Sequence, residues 1–486
     1  MSEMKQDLAG IVGADHVLDD PLTLGGYSKD QSFVPPIEPW LIVRPGTEDE
    51  VQGVVAWANR TATPLVPVSS GGPHFYGDTV PSVPGAVMVD LSRMNRIMRI
   101  DRRNRMAVIE PGVTYSQLQP ELAKEGLRLT PPLYPRANKS AIASLLERQP
   151  TLIARYNHSL PEPLRDLGVV WGNGEKMYTG EAGYGPYALE KQWEAGVRLV
   201  DPKGPAQTDF FRLLTGAQGT MGIVTWASVR CQILPTVHKF FFVTTRRLDD
   251  LIGMTYRLQR LRLGDEVLLV NDSLLAGLLG AGAPTEAGSL PPWTLIVGVG
   301  GRARLPEEKV DVQEKDIRDV AGQFSLELVS AVPGVMTSQV RAALDGCCGE
   351  PHWKLAYKGG CRDIFFLTTL DKTPGFVETM LATAEESKYP VADVGVYMQP
   401  QHQGVAYHCE FTLPFAPDDA GEVAKATAVY ERASERLIAQ GAYFSRPYGA
   451  WADLVYDRDA QSATLLKNVK RVFDPNNVLN PGKLCF

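Results

Sequence analysis

Two glycines in the segment from Pro64 to Asp90 could bring main chain against an anionic ligand. The segment, PLVPVSSGGPHFYGDTVPSVPGAVMVD, joins two apolar runs through Gly71 and Gly72. Because glycine has no side chain, the N–H groups around Ser70, Gly71 and Gly72 could approach the oxygens of a diphosphate closely. An ordinary turn between two strands is the alternative.

A second glycine turn lies further along the chain, at the start of GTMGIVTWASVRCQILP. Gly219 and Gly222 free the backbone there before a predicted strand, so main chain could lie against a ligand at this point as well. A tight turn that only opens a strand is again the alternative.

The run VAYHCEFTL, from Val405 to Leu413, alternates between apolar and polar residues. This period of two predicts a strand with Tyr407 and Cys409 on one face and His408 and Glu410 on the other. Such a polar face could take a proton from a substrate. Together with His402, the same pair could instead bind a divalent metal ion.

The elements that must position these residues alternate between strands and helices in the first third of the chain. WLIVRP and AVIEPG are typical of strands, and EDEVQGVVAWANRT is typical of a helix with one apolar face. Thr114 and Gln117 form a capping-box pattern that predicts a helix ending at Gly126. From Thr130 to Pro163 the residues predict a long ordered loop.

A second kind of organisation begins after Pro235. HKFFFVTT, WTLIVGVGG, CRDIFFLTT and GVAYHCEFTLPF have the composition of strands. Amphipathic helical patterns such as LDDLIGMTYRLQRLR and EVAKATAVYERASERLIAQG separate them. We therefore expect an antiparallel sheet backed by helices, and an α+β fold overall.

Composition excludes several classes of protein. The 486 residues carry a net charge of -7, so no basic excess is present to neutralise nucleic acid. No apolar run reaches the ~18 residues of a spanning helix, and the first residues lack the features of a signal peptide. We expect a soluble, cytoplasmic protein. The six cysteines have no CxxC spacing and are expected to be reduced thiols, mostly buried.

Five segments together, in order and spacing, resemble the flavoproteins related to vanillyl-alcohol oxidase and p-cresol methylhydroxylase. They are PVSSGGPHFYGD, VMVDLSRMNRI, VIEPGVTYSQL, LLTGAQGTMGIVT and FDPNNVLNPGKL, and they extend over nearly the whole chain. The resemblance implies a two-subdomain FAD-binding domain (PCMH-type) over residues 1–235. It also implies a cap or substrate domain over 236–440, and a segment, 441–486, that returns to the FAD-binding domain.

The resemblance implies that both glycine turns contact FAD. The expected cofactor-binding residues are Ser70, Gly71, Gly72, His74, Gly219, Thr220, Gly222, Ile223 and Val224. In many relatives a histidine after the first turn is bonded covalently to a flavin ring methyl, and His74 takes that place. This chain departs from their pattern at Pro73, where relatives usually have glycine, so a histidine that only hydrogen-bonds flavin or backbone is the alternative.

Relatives also use a Tyr and Arg pair to hold substrate oxygen and the electron-rich edge of the flavin, which points to Arg446 and Tyr448 here. Relatives that oxidise 2-hydroxy acids carry a metal site with two histidines seven apart around a Gly-Asp-Gly-Asn core, which QHQGVAYHCE lacks. We therefore expect no metal, and catalytic functions for His408, Glu410, Arg446 and Tyr448. Further candidates for the pocket lining are Trp353, Tyr357, Arg362, Tyr397 and Trp451.

The expected function is that of an FAD-dependent oxidoreductase that oxidises a small alcohol or an alkylphenol-type aromatic substrate by hydride transfer to flavin. A 2-hydroxy acid dehydrogenase of the lactate or glycolate type, dependent on metal, is one alternative. A flavin-binding subunit that only relays electrons in a larger complex is another. Oxygen, a cytochrome or another protein could be the electron acceptor, and a homodimer is the expected assembly.

Overall fold

The computed structural model describes residues 3–152, 163–184, 188–196, 210–280, 290–401 and 404–486. Its first layer is a small sheet with the strand order β1-β2-β4-β3, in which β2, β4 and β3 run parallel and β1 antiparallel. The strands are β1 Val17–Leu18, β2 Leu41–Val43, β3 Leu65–Val68 and β4 Val87–Asp90. The first glycine turn follows β3 directly.

A second sheet of the described chain is antiparallel throughout, with the order β5-β6-β10-β8-β9. The short strands β7 and β11 pair with each other in a separate antiparallel ribbon. The strands are β5 Ile97–Asp101, β6 Met106–Ile109, β7 Leu127–Arg128, β8 Leu164–Trp171, β9 Lys176–Tyr178, β10 Gly222–Arg230 and β11 Gln232–Ile233. The second glycine turn leads into β10.

The middle of the chain forms a third sheet, with six strands among the described residues, in the antiparallel order β12-β14-β13-β16-β17-β15. One face packs against α8, α10, α12 and α13, and the core between them includes Phe241, Leu269 and Phe411. The strands are β12 Val237–Thr245, β13 Glu266–Asn271, β14 Trp293–Gly301, β15 Gly360–Thr368, β16 Gly395–Gln401 and β17 Ala406–Phe415. This is the antiparallel sheet backed by helices that the sequence predicts.

Several helices begin and end where the sequence predicts. The Thr114 side chain accepts from the Gln117 amide while the Gln117 side chain accepts from the Thr114 amide, so α4 has a full capping box. Gly441, at φ +103°, ends α13 in the left-handed region. The α-helices are α1 Glu3–Val12, α2 Pro21–Tyr27, α3 Glu48–Thr61, α4 Tyr115–Lys124, α5 Ala141–Leu146, α6 Leu189–Glu194, α7 Phe211–Leu214, α8 Asp249–Leu261, α9 Asp272–Leu278, α10 Pro306–Gln323, α11 Thr337–Asp345, α12 Thr373–Glu386, α13 Ala420–Gln440, α14 Ala450–Tyr456 and α15 Ala460–Phe473.

The predicted loop from Thr130 to Pro163 differs from the structure in one respect. Residues Ala141–Leu146 form the short helix α5, with Ser140 as N-cap. Pro, Arg and Asn around this short apolar stretch obscure its helical pattern, and the N-cap bond stabilises a helix of so few residues. Residues 153–162 of this segment lie outside the described residues.

The last residues return to the first sheet. Leu479 forms a parallel bridge with Leu65, and the buried Lys470 ammonium of α15 donates to the carbonyl of Thr220 at 2.7 Å and to Asp474 at 2.7 Å. The C-terminal segment is therefore fixed against both glycine turns. No helix in the described ranges is both long and apolar enough to cross a membrane. Of the six free thiols, four are buried.

Candidate active site

A cleft of about 840 Å³ opens between the segment after β3 and the polar face of the third sheet. We call it the substrate cavity. It is lined by His74, Phe75, Tyr76, Asp78, Pro132, Leu133, Pro135, Arg136, Lys139, Glu147, Gln149, Pro150, His352, Trp353, Lys354, Asp363, Tyr397, Glu410 and Arg446.

A second cavity of about 850 Å³ adjoins the first and shares His74, Asp78 and Glu147 with it. We call it the cofactor cavity. Its walls are mainly apolar and come from both glycine turns, from α5 and from other segments: Pro67, Val68, Ser69, Ser70, Thr79, Leu91, Pro111, Ile142, Ala143, Leu146, Leu214, Gly216, Ala217, Gln218, Gly219, Gly222, Ile223, Val224 and Tyr448. The shared residues place the two cavities next to each other.

The second glycine turn contributes to the cofactor cavity largely as predicted. Gly219, Gly222, Ile223 and Val224 line it. Gly219 has φ +71°, and a Cβ there would lie 2.5 Å from the Pro67 ring, so only glycine fits. Thr220 does not line either cavity, because its hydroxyl donates to the Ala217 carbonyl within the turn at 2.7 Å.

The first turn differs from the prediction in detail. Ser70 lines the cofactor cavity, but Gly71 and Gly72 do not. The Gly71 amide donates to the carbonyl of Asn138 at 3.2 Å, and the Arg136 guanidinium donates to the Gly71 carbonyl at 2.9 Å. The turn therefore uses these groups to hold the 136–138 segment, which the sequence pattern could not indicate.

His74 lies at the junction of the two cavities and lines both. Burial, assisted by the positive charges of Arg136 and Lys139, lowers its pKa to about 3. The imidazole is therefore neutral throughout the physiological pH range, and a neutral ring nitrogen is the form that can act as a nucleophile or hydrogen-bond acceptor.

A buried charge cluster lies on the opposite wall of the substrate cavity. The Lys354 ammonium donates to Glu410 at 2.5 Å and to Asp363 at 2.7 Å, while His408 contacts the other Glu410 oxygen at 3.0 Å. Thr412 donates to Asp363 at 2.9 Å. His408 and Glu410 therefore lie on one face of β17, as the alternation predicts, but only Glu410 lines the cavity.

The cluster holds Glu410 as a carboxylate. Burial would raise the pKa of Glu410, but the adjacent Lys354 charge and the His408 contact outweigh it and hold the pKa well below the usual range. Burial also lowers the pKa of His408. Glu410 is thus a poor proton acceptor, and His408 lines neither cavity, so the base function of this pair stays a prediction.

Two buried guanidinium groups face the substrate cavity. Arg446 lies over the Phe365 ring at 3.9 Å, and Arg136 lies over Phe75 at 5.8 Å. In the described part of the chain, no carboxylate pairs with either group. Since a buried cation without a counter-charge is costly, both groups are suited to meet negative charge on a ligand.

Asp78 and Glu147 line both cavities. Glu147 accepts from Lys139, and burial followed by the nearby Glu147 charge raises the pKa of Asp78 to about 7. A carboxyl group with this pKa can accept or release a proton near neutrality. Asp78 is the better candidate for a proton acceptor.

The remaining predicted residues fall into three groups. Trp353 and Tyr397 line the substrate cavity, and Tyr448 lines the cofactor cavity and stacks on Tyr76 with ring centroids 4.8 Å apart. Arg362 and Trp451 line a third cleft, described below, and Tyr357 lines none of these three. His402 lies outside the described residues.

One set of three side chains in the described residues could hold a metal ion: His238, Glu266 and Asp345. Their ligand atoms already contact one another, at 3.0 Å, and Arg128, at 2.9 Å. None of the three lines the substrate or cofactor cavity.

The residues present fit FAD. The cofactor cavity offers bare main chain at Gly219, apolar walls, and a carboxylate at Glu147 that can accept from the cofactor's hydroxyl groups. Lys139 and Arg136 supply positive charge at the junction with the substrate cavity. An extended space with these groups suits a dinucleotide whose ring system reaches that junction.

Sequence reasoning missed Lys354, Asp363, Arg136 and Asp78. Asp78 directly follows the first glycine turn, in PHFYGD, and an acidic residue at that place could have been singled out. Lys354 lies in a short 3₁₀ helix, Trp353–Leu355, and Asp363 lies on β15, which comes close to Glu410 only because β15 pairs with β17.

Comparisons with known proteins agree with this geometry. Residues 39–142 match the FAD binding domain family, and residues 369–484 match the C-terminal domain of FAD linked oxidases. D-2-hydroxyglutarate dehydrogenase of Stutzerimonas stutzeri (strain A1501) is 27% identical, over 98% of each chain. The 4-cresol dehydrogenase [hydroxylating] flavoprotein subunit of Pseudomonas putida is 24% identical, over 98% of this chain and 94% of its own.

Solved structures share the fold over the full chain. Substrate-bound p-cresol methylhydroxylase superposes with a TM-score of 0.82 at 21% identity, covering 100% of this chain and 96% of its own. The 4-ethylphenol oxidase from Gulosibacter chungangensis gives 0.81 at 19% identity, covering 99% and 96%. The α+β architecture expected from the sequence is therefore confirmed.

Proposed function

We propose that this chain, which matches the FAD binding domain and the C-terminal domain of FAD linked oxidases, is an FAD-dependent oxidoreductase of the p-cresol methylhydroxylase type that oxidises a small alcohol or an alkylphenol in the substrate cavity. The observation that supports this is the meeting of three kinds of group around one space that adjoins the cofactor cavity. They are a cation that pairs with no carboxylate in the described ranges (Arg446), a carboxyl group that titrates near neutrality (Asp78) and aromatic walls (Tyr76, Trp353 and Tyr397).

Each group has a separate task in this proposal. Arg446 holds the substrate oxygen as negative charge develops on it, since a fixed buried cation stabilises that charge without reorganisation. Asp78 accepts the hydroxyl proton. FAD, when bound, supplies the hydride acceptor. The Lys354, Asp363 and Glu410 cluster fixes the charge of the far wall, and the aromatic side chains orient the substrate ring.

The test is anaerobic mixing of the FAD-loaded protein with a panel of benzylic alcohols, 4-alkylphenols and D-2-hydroxy acids. Loss of the oxidised flavin absorbance with an alcohol or a phenol supports the proposal, and Arg446→Met should slow that reduction by about 100-fold or more. A protein that none of these compounds reduces, but that a reduced partner protein does reduce, would be an electron-relay subunit instead.

A 2-hydroxy acid is the second candidate substrate, and the two guanidinium groups, which pair with no carboxylate among the described residues, favour it. Arg136 and Arg446 could bind a carboxylate, which an alkylphenol lacks. A relative that is 27% identical is a D-2-hydroxyglutarate dehydrogenase. Reduction by D-2-hydroxy acids alone, abolished by EDTA and restored by a divalent metal ion, would support this candidate over the first.

We also propose that His74 is bonded covalently to the flavin, since its neutral imidazole lies where the two cavities join. Acid precipitation tests this. Yellow colour that stays with the precipitated wild-type protein, and moves to the supernatant for His74→Ala, supports the bond. Yellow colour in the supernatant for the wild type contradicts it and leaves non-covalent FAD.

A further inference from the structure

A third cleft of about 1170 Å³ lies on the far side of the Phe75–Tyr76 segment from the substrate cavity. Phe75, Tyr76 and Asp363 line both of these spaces, and Gln218 and Tyr448 line both the third cleft and the cofactor cavity. One layer of side chains, which includes the stacked rings of Tyr76 and Tyr448, therefore separates this cleft from the place where FAD fits.

The cleft contains two buried cations that the proposed mechanism does not use. Arg362 is 4% exposed and Lys483 is 6% exposed. Arg362 donates to the Phe75 carbonyl at 3.1 Å through one nitrogen, while its Nη2 has no hydrogen-bond partner among the described residues. Lys483 donates to the Gly77 carbonyl at 2.7 Å. In the described chain neither cation pairs with a carboxylate, so both favour negative charge on a ligand.

The walls around these cations are aromatic. The Arg362 guanidinium lies 4.0 Å from the centroid of the Phe33 ring, Tyr430 packs edge-on to Phe33 at 5.7 Å, and Tyr430 stacks on Trp451 at 5.3 Å. Flat faces of this kind accommodate a planar ring. Two exposed acidic residues, Glu431 and Asp453, also line the cleft, and they disfavour a ligand that arrives with a negative charge.

From these features we propose that the third cleft binds a neutral, planar quinone, which accepts electrons from the reduced flavin. A quinone is uncharged on arrival, offers a carbonyl oxygen to Arg362, and gains negative charge only as it is reduced. Arg362 and Lys483, neither of which forms an ion pair with a carboxylate among the described residues, then stabilise that charge. The quinone takes up two electrons and two protons and leaves as the hydroquinone, and the dihydroflavin left by substrate oxidation returns to oxidised flavin.

This inference goes beyond the proposed function, since it needs bound FAD but no particular substrate. The experiment therefore reduces the flavin by light with a deazaflavin and EDTA, without substrate. The reduced protein is mixed anaerobically with tetramethyl-1,4-benzoquinone while flavin absorbance is followed. Binding of the same quinone to the oxidised protein and to the FAD-free protein is measured by quenching of tryptophan fluorescence.

Two variants test the site. Arg362→Gln removes the unpaired donor, and Ala450→Trp fills the cleft from an exposed lining position. Both should lower quinone affinity and the rate of reoxidation by about tenfold or more, with unchanged photoreduction and flavin spectrum. Arg257→Gln, at an exposed position on α8, and Ala450→Ser are the matched controls and should behave as wild type.

Several results would overturn the proposal. One is a wild-type protein whose reduced flavin the quinone does not reoxidise. Another is reoxidation of Ala450→Trp at the wild-type rate with unchanged quinone affinity, since the quinone would then react elsewhere. If Arg362→Gln does not fold, Ala450→Trp decides alone. Failure of the proposed substrates to reduce the flavin leaves this experiment unaffected.

Discussion

At the scale of single residues, Lys354 supplies the counter-charge for two carboxylates of the substrate cavity. Its ammonium neutralises two carboxylates, Asp363 and Glu410, that are themselves buried. Burial lowers its pKa, but the two carboxylates more than offset this, and the net pKa lies well above the usual range. A buried ion that loses its partner is strongly destabilising, so the three groups depend on one another.

We therefore expect Lys354→Met to lower the free energy of unfolding by about 3–5 kcal/mol, because two buried carboxylates lose their counter-charge. Flavin reduction by substrate should also slow. Urea unfolding and anaerobic stopped-flow absorbance measure the two effects. Lys239→Met is the matched control, since Lys239 pairs with Asp311 on the surface and should cost less than about 1 kcal/mol. Equal losses in both variants would contradict the assignment.

Asp78 gives a prediction about pH. Burial, followed by the Glu147 charge, raises its pKa to about 7, and only the deprotonated form can accept a proton. The rate of flavin reduction should therefore rise as the pH passes upward through about 7 and then level off. Asp78→Asn should remove this dependence while the flavin stays bound. A wild-type rate that is constant over that range would exclude Asp78 as the acceptor.

The sequence predicted part of the residue-level site. Glu410, Arg446, His74 and the Gly219 turn lie where they were expected, because strand alternation and glycine turns are local features. Lys354 and Arg136 were missed, since their functions depend on which segments pack opposite them.

At the scale of elements, a closed set of charges joins the FAD-binding part of the chain to the third sheet. Arg128 of β7 donates to Glu266 of β13 and to Asp345 of α11, both at 2.9 Å. His238 of β12 bridges the same two carboxylates at 3.0 Å. Burial opposes a charge on His238, but hydrogen bonds to Asp345 and Glu266 outweigh it and raise its pKa to about 9.

This cluster should make stability depend on pH. The pKa of His238 is raised from 6.5 to about 9 on folding, so its contribution is complete below about pH 6.5 and is lost as the pH rises through about 9. Urea unfolding at a series of pH values should show a loss of a few kcal/mol over that window. The His238→Gln variant should have a lower free energy of unfolding than wild type at pH 6.5. Its free energy of unfolding should then change little between pH 6.5 and 9. A variant with the same pH dependence as wild type would contradict the assignment.

The strands of the third sheet illustrate why elements were easier to predict than their partners. The alternation of β17 gave both faces correctly, and Tyr407, Cys409 and Phe411 lie in the helix-backed core. The strand that places Asp363 beside Glu410 is β15. It is next to β17 in the sheet, although about 40 residues separate the two strands in sequence. Periodicity carries no information about that pairing.

At the scale of the whole molecule, the C-terminal segment connects two walls of the cofactor cavity. The Asn480 amide nitrogen donates to the carbonyl of Asp78 at 2.9 Å and to that of Gln218 at 2.8 Å. Asp78 follows the first glycine turn and Gln218 directly precedes Gly219. One side chain near the C-terminus thus holds together two cavity walls that are far apart in the chain.

We expect Asn480→Ala to weaken FAD binding by about tenfold or more, because both carbonyl groups lose a buried donor and the walls are no longer held. Titration of the FAD-free protein, followed by flavin fluorescence, measures the affinity. Asn476→Ala is the control, since Asn476 lies in the same segment but donates to the Asn59 side-chain oxygen at the protein surface. Unchanged FAD affinity in both variants would mean that the C-terminal segment does not support the cofactor cavity.

By itself, the sequence determined the α+β class, the FAD-linked family, the two glycine turns and the polar face of β17. These depend on local periodicity, on glycine's freedom and on motif order, which are all written along the chain. Only the tertiary structure decided that Lys354 neutralises Glu410, that Asp78 faces both cavities, and that Asn480 joins the two turns. Those effects arise from burial and from charges brought together by strand pairing and chain return, which no local pattern encodes.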